Sequence, residues 1–185
     1  GGRGQDQWAA GVAGGGFARG QAPDGGRSGV VVGGDGQGAG QVLRRSAAVD
    51  HQAADIACPE SVRCEVEGLD GPKGHAFFYP PASRQACVPA GEKPPMVVLV
   101  HGGPTARAQD CFSFKVQWWT SRGFAVLDVN YGGSTGFGRS WRRRLQGQWG
   151  VVDVADCIAA CRDMVATGRV DPERIAIRGS SAGGM

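Results

Sequence analysis

The chain reads as an α/β protein, and three observations carry that reading. From about residue 96 onward, apolar runs of strand length alternate with amphipathic helical stretches, which implies crossover connections and a mostly parallel sheet between helices. Two of those strands lead straight into glycine-rich corners, His101-Gly102-Gly103-Pro104 and Gly179-Ser180-Ser181-Ala182-Gly183. Ahead of them, residues 62–79 hold two strand-like runs about a dense turn, the pattern of an antiparallel hairpin.

In chain order, residues 1 to about 48 hold 16 of the 33 glycines and keep no apolar period of 2 or 3.6, so no fold is assigned to them. Residues 1–55 are set apart as a glycine-rich lead-in or the remnant of a preceding domain, and 56–185 as the folded domain. Within the lead-in, Val30-Val31-Val32 and Gly34-x-Gly36-x-x-Ala39 imitate a dinucleotide-binding turn, with Asp55 near the place of a ribose-binding acid. Three apolar residues are too few for the required strand and no second strand leads to Asp55. No cofactor is therefore expected.

The hairpin runs from Val62-Arg63-Cys64-Glu65-Val66-Glu67, through Gly68–Gly74, to His75-Ala76-Phe77-Phe78-Tyr79. A proline-rich loop leads to Met96–Val100, whose unbroken apolar character suits a strand covered on both faces. A helix is predicted over about 110–122, where Phe112, Val116 and Trp119 recur at helical spacing and Gly123 supplies the left-handed end. Phe124–Val129 is the next strand. A helix over about 151–167 follows, with Val151, Val154, Ala155, Ile158, Cys161 and Val165 on one face and Asp153, Asp156, Arg162 and Asp163 elsewhere. After Asp171-Pro172, Arg174–Arg178 is a short strand that enters the last corner.

Composition excludes several classes. A formal charge of +3 is too small and dispersed for a nucleic-acid partner. The run Arg139-x-x-Arg142-Arg143-Arg144 reads as a solvated helix face, and Trp118, Trp119, Trp141 and Trp149 as packing around the sheet. No apolar run approaches the roughly 20 residues of a membrane span, so no membrane partner is expected. The six cysteines, without a C-x-x-C pair, read as reduced core thiols; no metal site and a cytoplasmic location are expected. The chain opens Gly1-Gly2-Arg3 and stops at Met185 inside a motif, so both ends read as cut.

Chemistry concentrates in the two corners. Gly179-x-Ser181-x-Gly183 after a strand is the nucleophile-elbow pattern: the turn is so sharp that a Cβ two residues either side of the serine would clash. The serine is then held in a strained conformation at the start of the next helical turn, where free N–H groups favour negative charge. The alternative is a Gly/Ser turn that merely joins two elements. At the other corner, the Gly103 N–H and the Ala182 N–H would form two donors for a tetrahedral oxyanion. His101, His51 and His75 all precede Ser181, whereas in this architecture the base follows the serine, so none is assigned as base. Asp128 and Asp153 are set aside on the same ground.

From Gly91 onward the chain resembles the α/β-hydrolase domain of the prolyl oligopeptidase family, especially its dipeptidyl-aminopeptidase and acylaminoacyl-peptidase-like members. The likeness rests on Lys93–Thr105, Gln117–Gly138, Gly147–Gly150, Val170–Arg174 and the elbow. It implies the N-terminal half of an α/β-hydrolase fold, Ser181 as acylated nucleophile, Gly103 and Ala182 as oxyanion donors, and a peptide or acyl-peptide substrate. Family members also carry a β-propeller, and residues 1 to about 55 stand where its last part would end without reading as blades. The family's acid and histidine follow the elbow, so these 185 residues alone are expected to be inactive. An esterase on the same fold and a non-catalytic remnant are the competing readings.

Overall fold

The computed structural model describes residues 56–71, 73–85, 87–103 and 105–184 throughout, and before them the backbone of three strands. These are β1 (Gly16–Gln21), β2 (Arg27–Gly33) and β3 (Gln41–Arg45), antiparallel neighbours in chain order with a register slip between Val31 and Val32. The sequence reading left this segment without a fold because glycine sits at 16, 20, 29 and 33 and has no side chain with which to write an alternation. The dinucleotide-like turn at Gly34, Gly36 and Ala39, with Asp55 and His51, lies outside the described residues. The three strands belong to one compact unit, and the described chain from residue 56 onward, apart from 110–115, to another.

That second unit is built on a five-stranded mixed sheet in the order β4-β5-β7-β6-β8. Strand β4 (Glu60–Cys64) and β5 (Gly74–Tyr79) form the expected hairpin, and β5 pairs antiparallel with β7 (Ala125–Asn130). Strand β6 (Met96–Val100) runs parallel to both β7 and β8 (Ile175–Gly179). Alternate residues of the central strands feed two cores. On one face Met96, Val98, Ala125, Leu127 and Val129 pack with Cys157, Ala160 and Met164. On the other, Val97, Leu99, Val126 and Tyr79 pack with Val116. Covering on both faces explains why β6 is an unbroken apolar run.

Among the described residues three α-helices accompany the sheet: α1 (Phe114–Thr120), α2 (Gly138–Arg143) and α3 (Val152–Ala166). Helix α1 is shorter than its periodicity predicts, because Asp110-Cys111-Phe112-Ser113 are weak helix formers and stay non-helical. It ends at Thr120, and the turn that follows closes at Gly123 with φ +85°. Helix α3 is rotated from the predicted stripe. Its buried residues are Asp156, Cys157, Ala160 and Met164, while Val151, Val154 and Ile158 are exposed. Sequence reasoning turned Asp156 outward as a charged residue; a buried partner, described below, is what lets it point in.

Candidate active site

Register brings the two glycine corners together. In the parallel ladder Val100 pairs with Gly179, so β6 and β8 end at the same level and hand the chain to His101 and Ser180 side by side. The carboxyl ends of neighbouring parallel strands are where open α/β sheets gather ligand-facing loops.

The β8 corner is held by steric exclusion. A Cβ on Gly179 would fall inside the Gly183 carbonyl, and one on Gly183 would strike the Val100 carbonyl and lie 2.7 Å from the His101 carbonyl oxygen. Between them Ser181 has φ +54°, the one positive-φ non-glycine residue among those described. Its side chain is exposed, and Ser181–Gly184 form a single 3₁₀ turn closed by Gly183 N–H on the Ser180 carbonyl at 3.0 Å. At the β6 corner a Cβ on Gly102 would sit 2.7 Å from the Ser180 carbonyl oxygen and 3.1 Å from Ser181 Cβ. At Gly179, Gly183 and Gly102 the neighbouring backbone leaves no room for a Cβ. Gly103 differs: its surroundings are open, and its φ of +57° is what calls for glycine.

His101 is fixed from three sides. Its Nδ1 lies 3.1 Å from the Gly102 carbonyl oxygen, its Nε2 2.7 Å from Ser134 Oγ, and its ring stacks on Tyr131 at 4.4 Å. The Tyr131 hydroxyl donates to the His101 carbonyl at 2.9 Å. Burial pushes the imidazole below its ordinary value, against a smaller opposite effect of the Gly102 carbonyl. Both ring nitrogens are engaged away from Ser181, which agrees with the sequence-order argument that His101 is not its base. Burial also raises the Tyr131 phenol to about 12, so it stays a donor.

Sequence reasoning missed the residues that brace this corner. Asn130, buried at the end of β7, accepts from the Ala108 N–H at 2.8 Å and so clamps the loop that leaves Gly103. Asp156 accepts from the Gly132 N–H at 2.7 Å and from Arg144 at 2.9 Å, with its side chain 3% exposed. Burial raises the Asp156 carboxyl even so, the Gly132 N–H and Arg144 opposing it. Only Arg139, Arg142 and Arg143 of the arginine run are the exposed face that the sequence suggests; Arg144 is half-buried, paired with Asp156 and lying over the Trp141 ring. Likewise Trp141 is core, whereas Trp118 and Trp149 are half-exposed. An apolar groove of about 800 Å³ runs from Ala182 and Gly183 past Val100 and Ile177 to Ile158 and Trp149.

Residues 111–185 match the sequence model of the prolyl oligopeptidase family. A puromycin-hydrolyzing peptidase of Mycobacterium tuberculosis superposes over 91% of this chain and 26% of its own, with TM-score 0.75 and 46% identity. Dipeptidyl aminopeptidase BIII of Pseudoxanthomonas mexicana is 42% identical over 90 residues, 49% of this chain and 13% of that protein. The human acylamino-acid-releasing enzyme is 35% identical over 127 residues, 69% of this chain and 16% of that protein.

Over residues 111–185 the chain is similar to the prolyl oligopeptidase family.

Its α/β-hydrolase fold is the one the motifs predict, with both faces of the central strands β6 and β7 covered and the Gly179–Gly183 corner at the end of β8. The prolyl oligopeptidase match takes in α1, β7, the Tyr131–Gly138 loop, α3, β8 and the elbow, while β6 and the His101 corner lie ahead of it. The chain spans between an eighth and about a quarter of these relatives. Among the described residues no cluster of three metal-ligating side chains occurs, and no helix is long and apolar enough to cross a membrane. Burial pushes the Cys64 thiol up to about 11 and the Cys157 thiol to about 12, which makes both poor nucleophiles.

Proposed function

We propose that the full-length protein is a serine peptidase that cleaves peptide or acyl-peptide bonds through an acyl-enzyme on Ser181. One observation carries the reading: Ser181 is held at φ +54° on a corner whose backbone is interlocked with the Gly102 corner. In this mechanism Ser181 Oγ attacks the scissile carbonyl, and its proton passes to a histidine that in family order follows the serine. The carbonyl oxygen becomes an oxyanion, received by the N–H groups of Gly103 and Ala182; its collapse breaks the C–N bond, and the departing amine takes the proton from the histidine, leaving the acyl group on Ser181. Each such donor is worth about 10²- to 10³-fold in rate. Water then releases the acyl group. A peptide or acyl-peptide substrate is supported by what the relatives are named for, aminopeptidase and acylamino-acid-releasing activity. A cytoplasmic location is part of the same proposal; of the cysteines read as core thiols, Cys64 and Cys157 are buried, whereas Cys58 and Cys87 are exposed.

The test compares the full-length protein on aminoacyl anilides and acyl peptides with short p-nitrophenyl esters. Higher kcat/KM on the amides is expected, with a loss of about 10³-fold or more in Ser181→Ala. Turnover that survives Ser181→Ala overturns the proposal, and activity on esters alone moves the protein to the esterases of the same fold.

A further inference from the structure

A polar chain lies behind the Gly102–Gly103 peptide and has no part in the mechanism just given. Ser134 is fully buried, and its hydroxyl sits 2.7 Å from His101 Nε2. The other ring nitrogen faces a carbonyl oxygen, that of Gly102, at 3.1 Å. A carbonyl can only accept, so Nδ1 must carry the proton; Nε2 is then an acceptor, and the Ser134 hydroxyl is its donor. In the opposite tautomer a ring lone pair would face the carbonyl lone pairs. The Tyr131 hydroxyl does not relieve that clash, because its shorter contact is to the His101 carbonyl, 2.9 Å against 3.4 Å to Nδ1.

The consequence passes through a planar unit. The described peptides are all trans, so the carbonyl of Gly102 and the N–H of Gly103 lie in one plane and point in opposite directions within it. Fixing the carbonyl on the imidazole fixes the direction of the N–H. Glycine on both sides leaves that plane free to rotate unless something holds it, and the His101 ring is what does. Ser134 is itself rigid: its N–H bonds the Tyr131 carbonyl at 3.0 Å, Gly133 N–H bonds the Trp141 carbonyl at 3.0 Å, and Gly132 N–H bonds Asp156.

We propose that Ser134 is a positioning residue for the oxyanion corner: by donating to His101 Nε2 it holds the imidazole with Nδ1–H on the Gly102 carbonyl, and so aims the Gly103 N–H. The proposal rests on the serine-peptidase reading above.

The experiment uses the full-length protein. Ser134→Ala is expected to lower kcat on an acyl-peptide anilide about 10- to 100-fold, part of what one oxyanion donor supplies, with KM little changed. Affinity for a peptidyl aldehyde, which becomes a tetrahedral adduct on the serine, should fall by the same factor, while affinity for the cleaved product peptide should not. Ser134→Thr, which keeps the hydroxyl, should recover most of the rate. Should Ser134→Ala not fold, nitrogen NMR of histidine-labelled wild-type protein, with His101 assigned by His101→Asn, reads the tautomer directly. Protonation on Nδ1 supports the proposal and on Nε2 overturns it. Unchanged kcat and aldehyde affinity in a folded Ser134→Ala variant, beside a Ser181→Ala variant that is inactive, overturn this proposal alone. Turnover that persists in Ser181→Ala removes the parent reading and this one with it.

Discussion

Gly179 and Gly91 show how differently one substitution can act. Both would receive a methyl group as alanine, but at Gly179 that methyl overlaps the Gly183 carbonyl, whereas Gly91, at φ +86°, has nothing within 4 Å. Gly91→Ala is expected to cost about 1 kcal/mol, the strain of a left-handed alanine. Gly179→Ala must displace backbone and is expected to cost about 4 kcal/mol or more, enough to abolish soluble expression or a cooperative urea transition. Equal midpoints for the two variants would show that the corner can relax. At this scale the elbow was legible because its steric demand is written in letters: only glycine satisfies it, at a fixed offset from the serine. Ser134 was not legible, since a serine in a glycine-rich loop carries no mark of the partner that folding brings 33 residues back to it.

Elements tell a more mixed story. Strands β6 and β7 were readable from their apolar runs and the turns that bound them, whereas α3 was assigned in extent but not in rotation. Its periodic apolar residues include Val151, Val154 and Ile158, which the structure leaves exposed, and its inward stripe contains a carboxylate. Amphipathic periodicity assumes that charge faces water, and Asp156 breaks the assumption because Arg144 and the Gly132 N–H wait for it inside. Asp156→Ala leaves the half-buried Arg144 guanidinium without its counter-charge and the buried Gly132 N–H without an acceptor, and is expected to cost about 3 kcal/mol in chemical denaturation. Asp156→Asn, which keeps an acceptor for Gly132, should cost less. A smaller loss for the alanine variant would contradict a joining role for this residue between α3 and the Tyr131 loop.

For the molecule as a whole, acid is the informative stress. Burial, with Arg63 beside it, holds His75 down to about 4 from an ordinary 6.5, and burial lowers His101 as well. A histidine whose folded value is depressed binds more protons when unfolded, so its stabilising contribution is present above 6.5 and is lost as pH falls from there toward 4. The melting temperature should therefore drop over that interval, and His75→Phe, which can still stack on Phe137, should flatten the drop. Parallel profiles would place the acid sensitivity elsewhere. The sheet order itself was only partly readable; alternation of strands and helices implied parallel neighbours, but which strand sits beside which is decided by packing at a distance. The interlocking of the two corners also limits what protein engineers can borrow. Because Gly183 abuts the carbonyls of Val100 and His101, and Gly102 abuts that of Ser180, residues 179–183 are half of a mortise joint. Transplanted into another scaffold without the end of β6, they would arrive as a loop of the right spelling and the wrong shape.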